Sequence, residues 1–280
     1  MIGGVLTSPY PQVTQPVNTT GQLIMAIGTT AVMLAAVAWT IRLARRQRAV
    51  WPVVILVSGL FASLLEAIYD NAFNLWFYTG PEVFGGYDGF GIHVPWWVSV
   101  TYVWVYGAQA VWLATRIDGG ATRRDILRYA ALLWWVFTGF ELVGTNLGTY
   151  GYFGAHPYRV TGFPVWVSVA NTAIVVVAAV AITRMRPMLP GARAWAMIVL
   201  VPGAFALGTF TPSFPTLEII SHPEPDPVLL WASATLSMLL GGLVCYLACL
   251  PLPAIRAGRP ADVAEGSGDQ SMKAAAAREV

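Results

Sequence analysis

The sequence predicts an all-α integral membrane protein: a bundle of seven transmembrane helices, with the N-terminus outside and the C-terminus in the cytoplasm. Three observations lead there. Of the 280 residues, 56% are hydrophobic and 11% charged, with mean hydropathy +0.61. Soluble globular chains carry roughly 25% charged residues, so too little charge is present to cover a surface in water. Seven apolar stretches of about the length needed to cross a bilayer follow one another along the chain. The loops between them alternate between basic and nearly base-free.

The first stretch, at about 22–41, is followed by Arg42, Arg45, Arg46 and Arg48, and the second spans about 51–78. After an aromatic, Gly-rich loop the third runs over about 94–115 and ends at Arg116, Arg123, Arg124 and Arg128. The fourth covers about 129–149, and a loop holding one base, Arg159, leads to the fifth at about 163–183. Arg184, Arg186 and Arg193 precede the sixth, at about 194–211; the seventh, at about 227–250, is followed by Arg256, Arg259, Lys273 and Arg278. Fifteen of the sixteen bases therefore fall on one side, which the positive-inside bias makes cytoplasmic. The expected organisation is an extracytoplasmic segment over 1–21, a transmembrane domain over 22–253 and a disordered cytoplasmic tail over 254–280, in a multi-pass protein of the cell membrane. No basic n-region or small-residue cleavage site precedes the first stretch, so no signal peptide is expected. Cys245 and Cys249 stand one turn apart toward the cytoplasmic end of the last helix and read as packing residues.

Two stretches resemble one another. Glu66 and Asn71 are followed by Pro95-Trp96-Trp97-Val98-Ser99-Val100, and Glu141 and Asn146 by Pro164-Val165-Trp166-Val167-Ser168-Val169. The glutamates are 75 residues apart and the prolines 69, so the second outer loop is shorter. Helices 2–3 and 4–5 thus read as an internal repeat in one orientation. Such repeats pack about an axis along the membrane normal around a shared cavity. Proline at the first turn of helices 3 and 5 is harmless, because its missing N–H would be unpaired there.

Ionisable groups inside spans are costly and usually functional. Here they gather toward the outer side. Glu66 and Asp70, four apart, share a helix face, and Asn71 and Asn74 extend the patch. Glu141 and Asn146 supply the equivalent from helix 4, with Thr138 and Thr145 nearby. Asn171 stands on helix 5; Thr209, Thr211 and Ser213 end helix 6, and Glu218 follows. The expected pocket is walled by Tyr69, Trp76, Trp96, Trp97, Tyr102, Trp104, Tyr106, Trp134, Trp135, Tyr150, Tyr152 and Trp166, though Trp and Tyr also form interfacial belts regardless of function.

Carboxyls drawn from water into an aromatic cavity can serve as proton donors. Such an acid protonates an alkene or epoxide of a lipid-soluble substrate, aromatic faces stabilise the carbocation, and a second carboxylate or a water ends the reaction. This is acid-initiated isoprenoid cyclisation or hydration. Glu66 and Glu141 are the expected acid and base, in an order left open, with Asp70 tuning Glu66. Asn71 and Asn146 are expected to orient the carboxyls or a water. Tyr69, Trp97, Trp166, Tyr152 and Asn171 are expected to contact the substrate.

The stretch Glu141-Leu142-Val143-Gly144, with Gly151-Tyr152-Phe153-Gly154 and Gly162-Phe163-Pro164-Val165-Trp166-Val167, resembles a signature of membrane carotenoid-biosynthesis proteins, a family that includes carotenoid hydratases. Membrane lycopene cyclases are similar in their repeated-helix plan, and membrane meroterpenoid cyclases in their seven or so spans and carboxylate acids. The resemblance covers about thirty residues, and about a hundred with the first repeat. It implies Glu141, and by repeat Glu66, as acid/base residues. The Pro-Glu-Glu pattern of lycopene cyclases is absent, and Leu65 stands where fungal meroterpenoid cyclases carry Trp before the glutamate.

Other classes fit less well. An opsin needs a lysine in its last helix, and the one lysine is Lys273 in the tail. Three histidines are too few for a diiron desaturase, and no Asp-rich motif suits diphosphate ionisation. Phosphate-loop and dinucleotide motifs are missing, and topology accounts for the bases without nucleic acid. No cofactor or metal is expected; the partners are a lipid-soluble isoprenoid substrate and membrane lipid. The alternatives are a small-molecule transporter or ligand-binding membrane protein and a zinc hydrolase using His93, His156 and His222 with a Glu. Against transport, the cytoplasmic halves are apolar, and Pro202-Gly203 in helix 6 is the one strong mid-helix breaker.

Overall fold

The computed structural model describes residues 17–78, 80 and 85–254; the N-terminal residues 1–16 and nearly all of the expected tail lie outside them. The protein is a helix bundle closed at one end by three small β-ladders. Among the described residues, six helices are long and apolar enough to cross a membrane: Thr19–Gln47, Trp51–Ala72, Arg123–Asn146, Val167–Met188, Gly191–Ile220 and Pro227–Cys249.

Helix α1 (Thr19–Gln47) starts at Asn18, whose side chain accepts from Gly21 N, and stops at Arg48 in the left-handed conformation, its N–H bonded back to Ala44 and Arg45. Each device satisfies backbone groups a helix end leaves orphaned. The second span is made of α2 (Trp51–Ala62), a 3₁₀ turn at Ser63–Leu65 and α3 (Glu66–Ala72). It is shorter than the expected 51–78. Asn74 adopts φ +51, and the chain turns into β1 (Leu75–Phe77). The hairpin β2 (Gly86–Gly89) and β3 (Ile92–Pro95) leads to α4 (Trp96–Tyr102), a π turn at Val103–Ala108 and α5 (Gln109–Asp118). The third expected span, 94–115, is therefore three consecutive helical pieces rather than one α-helix.

Helix α6 (Arg123–Asn146) begins with a capping box in which Thr122 and Asp125 satisfy one another's backbone N–H, a standard helix-start device. After β4 (Tyr150–Tyr152), β5 (Arg159–Val160) and β6 (Phe163–Pro164) comes α7 (Val167–Met185), the central helix, buried along most of its length. A 3₁₀ stretch, Gly191–Val199, runs into α8 (Leu200–Ile220). The expected end of helix 6 near residue 211 is thus corrected. Pro212 and Pro215 lie inside α8, while Pro202 sits in its first turn, where a missing N–H is tolerated. Helix α9 (Pro227–Cys249) is capped by Asp226.

Helix contacts rely on small residues and interhelical hydrogen bonds, as expected in lipid. A Cβ on Gly208 of α8 would lie 2.6 Å from Ile174 N of α7, and one on Gly59 of α2 would lie 2.8 Å from Tyr102 O. Thr138 donates to Ser168 (3.0 Å), joining α6 to α7, and Thr216 and Ser237 (2.7 Å) join α8 to α9. Leu34, Leu239 and Leu243 face outward, exposed on α1 and α9. At the strand-free end Arg123 donates to Cys249 O and Leu250 O, and Arg186 pairs with Asp118 (2.5 Å).

Candidate functional site

The ladder between β1 and β4 runs antiparallel, with Leu75 opposite Tyr152, Trp76 opposite Gly151 and Phe77 opposite Tyr150. It ties the loop after α3 to the loop after α6, and so brings the two glutamate-bearing helices to one place. Gln22 of α1 locks this arrangement: its amide donates to Tyr78 O (3.1 Å) and Thr149 O (3.2 Å), while its oxygen accepts from Trp97 Nε1 (2.7 Å).

Below the ladder lies a cavity of about 50 Å³, lined by Glu66, Glu141, Asn171 and a wall that includes Tyr69, Phe77, Trp97, Tyr102, Tyr106, Phe137, Phe140 and Tyr150. Both glutamates therefore face one space. Three donors converge on Glu141: Tyr150 Oη (3.0 Å) and Tyr152 Oη (3.2 Å) on Oε2, and Asn171 Nδ2 (3.5 Å) on Oε1. Asn171 accepts in turn from Tyr106 Oη (3.0 Å). On Glu66, Tyr102 Oη is the one donor among the described residues, to Oε2. Its other oxygen accepts from no described side chain. The rings of Tyr102 and Tyr106 meet edge to face at 4.8 Å and both pack on Phe205, so Glu66 and Glu141 belong to one polar-aromatic cluster.

The other expected residues are placed as follows. Tyr69, Trp97 and Asn171 line the cavity, and Tyr152 reaches it through Glu141. Trp166 is buried behind the wall, stacked on Phe73 and His156. Asp70 is fully buried, off the cavity lining, with no hydrogen-bond partner for either oxygen among the described residues. Asn71 donates to Ala67 O and Phe90 O, and Asn146 to Leu142 O and Thr161 Oγ1. Both amides thus fasten a helix end to the following loop. Trp96 and Trp135, expected in the wall, face outward at 38% and 62% exposure.

The three histidines do not converge. His93 pairs with Asp88 in the β2–β3 hairpin (2.9 Å), His156 stacks on Trp166, and His222 lies beyond α8. Burial and the nearby Arg159 guanidinium push His156 down to about 3, so it is a neutral packing group in its loop. Arg159 itself donates to Tyr152 O (2.8 Å) and Gly154 O (3.0 Å), holding that loop over the cavity. Among the described residues no group of three His, Cys, Asp or Glu side chains is arranged to hold a metal.

Sequence reasoning did not single out Gln22, Phe137 or Phe140. Gln22 is a polar outlier opening an apolar run, and Phe137 lies one turn before Glu141 on the same face; both signals were available. Comparison of the chain with protein-family patterns, with characterised proteins and with solved structures finds no match.

Proposed function

We propose that the protein is a membrane enzyme that cyclises or hydrates a polyprenyl substrate by proton transfer from a buried carboxylic acid. The observation that carries this reading is the convergence of Glu66 and Glu141 on one aromatic-walled cavity, with no cationic partner among the described residues. Their hydrogen bonding is unequal, and this supports a division of labour. Glu141, accepting from three donors, is held as an acceptor. Glu66, with one oxygen facing the cavity unpartnered, is free to present a proton. Protonation of an alkene carbon by Glu66 would leave a carbocation facing Tyr69, Trp97, Tyr102 and Tyr106, whose ring faces attract positive charge. Glu141 would then take a proton from carbon, closing a cyclisation, or from an adding water, closing a hydration. Water in the cavity would return the proton to Glu66.

The same reading takes α4, the π turn and α5 together as a seventh span, with the strand end of the bundle outside and the basic end in the cytoplasm. It also takes α3–α4 and α6–α7 as repeats about a twofold axis. Trp76 and Gly151, directly paired, are 75 residues apart, as are Glu66 and Glu141. The hydrogen bonds Tyr78 N to Thr149 O and Phe153 N to Asn74 O are images of one another under that offset. Tyr102 and Asn171, each seven residues after its proline, each donate to their own repeat's glutamate.

The test is expression in a host that accumulates linear polyprenyl precursors, with lipid extracts compared by mass spectrometry against Glu66→Gln and Glu141→Gln. An isomeric product means cyclisation, and a product heavier by one water means hydration. Turnover retained in both variants would remove the carboxyls from the mechanism.

A further inference from the structure

A cavity of about 50 Å³ has room for a few waters, whereas small-molecule sites run to roughly 300–1,000 Å³. A substrate chain must come from elsewhere, and a groove between α1 and α6 leads toward the carboxyls. At the strand end α1 and α6 touch: Asn18 Nδ2 donates to Leu147 O (2.8 Å), and a Cβ on Gly21 would lie 2.4 Å from the same oxygen. Away from that end they part. The gap is a groove of about 310 Å³ whose walls include Gly28 and Val32 of α1 and Gly139, Phe140 and Val143 of α6, with Trp104 of the π turn. A Cβ on Gly28 or on Gly139 would meet nothing within 4 Å, so both positions border open space that only a large side chain would fill. Thr29, its one hydroxyl, donates back to Met25 O (2.7 Å), and no charged side chain lines it. Such a surface suits a hydrocarbon chain rather than a headgroup.

The groove is also continuous with the site. Phe140 lines both groove and cavity, and the next residue is Glu141. Trp104 packs edge to face on Phe140 at 5.7 Å, and Val105 beside it lines the cavity. Trp104 Nε1 is buried without a hydrogen-bond partner among the described residues, and π turns recur at functional sites. The geometry points to the α1–α6 groove as a lateral portal and chain-binding site, through which a linear hydrocarbon chain reaches the carboxyls past the Phe140–Trp104 partition. The chain's identity as an isoprenoid rests on the function proposed above.

The experiment uses the full chain in proteoliposomes with a diazirine-bearing farnesol analogue, photolysed and mapped by peptide mass spectrometry. Labelling should concentrate on residues 24–32 and 139–143 and be competed by unlabelled farnesol. Gly139→Trp or Gly28→Trp, each with melting behaviour like the parent, should lower it about tenfold, while Gly139→Ala and Glu141→Gln should leave it in place. Label spread equally over lipid-facing Leu239 and Leu243, or indifference to both tryptophans, would overturn the portal. Groove labelling without any turnover would leave the portal standing and defeat the proposed chemistry; turnover without groove labelling would do the reverse.

Discussion

Gly144 lies one turn beyond Glu141 on α6, and the Tyr150 ring crosses it to reach the carboxylate. A Cβ at residue 144 would stand 2.5 Å from Tyr150 Cε1 and Oη and 2.6 Å from Cζ. Carbon atoms in contact sit at about 3.5–4.0 Å, so Gly144→Ala requires the ring to retreat by about 1 Å. The hydroxyl now donates to Glu141 at 3.0 Å; after that retreat it no longer does. The ring cannot give way easily, because Phe77, Trp97 and Tyr152 surround it. Overpacking costs about 1–3 kcal/mol and the lost donor about 1–2 kcal/mol, together a fall of about 5–15 °C in melting temperature for a domain of this size. The assay is thermal unfolding in detergent, with turnover measured alongside. Tyr150→Ala removes the obstruction, so in that background Gly144→Ala should cost at least ~1 kcal/mol less. Additive effects, or a melting temperature unchanged in the single variant, would refute the reasoning.

Tyr102→Phe removes the donor on Glu66 and should reduce turnover about 10–100-fold, with a stability loss of about 1–2 kcal/mol like that of the donor lost from Glu141. Equal turnover would detach Glu66's hydrogen bond from the reaction. Unfolded histidine binds its proton near pH 6.5 and His156 in the fold only near about 3. The unfolded chain therefore holds more protons between those values, and stability falls as pH drops through that window, by ~1.4 kcal/mol per pH unit. His156→Phe, which keeps the stack on Trp166, should flatten the melting curve between pH 7 and pH 5; equal slopes would contradict the assignment. Gly208→Ala drives a methyl group into the α7 backbone and should lower the melting temperature, whereas Gly203→Ala, with open space around its Cβ, should hold or raise it.

The apolar stretches and the buried glutamates were legible because each depends on local composition: a hydrocarbon-length run, or a charge inside one. What sequence could not supply were features fixed by distant partners. Phe73–Tyr78 is apolar enough to extend a helix, but β1 forms because Tyr150–Tyr152 pairs with it from far along the chain. The sixth apolar stretch was expected to end near residue 211, yet α8 continues through Pro212 and Pro215, because it packs against α7 and α9 and is tied to α9 by the Thr216–Ser237 bond. Between α4 and α5, where a third span was expected, the π turn offsets the α-period, which composition does not register. At the site, the matched asparagines Asn71 and Asn146 were visible as a pair, but their loop-fastening bonds depend on Phe90 and Thr161, which no spacing indicates.

The central claim is that a carboxyl of this site delivers a proton to a substrate carbon. It is tested most directly by turnover of a linear polyprenyl substrate in D₂O by the reconstituted protein, with the product's carbon-bound deuterium counted by mass spectrometry. Cyclisation and hydration alike require one carbon-bound deuterium per product molecule, and Glu66→Gln should give no product. Product formed without carbon-bound deuterium, or formed equally by Glu66→Gln, would contradict the account.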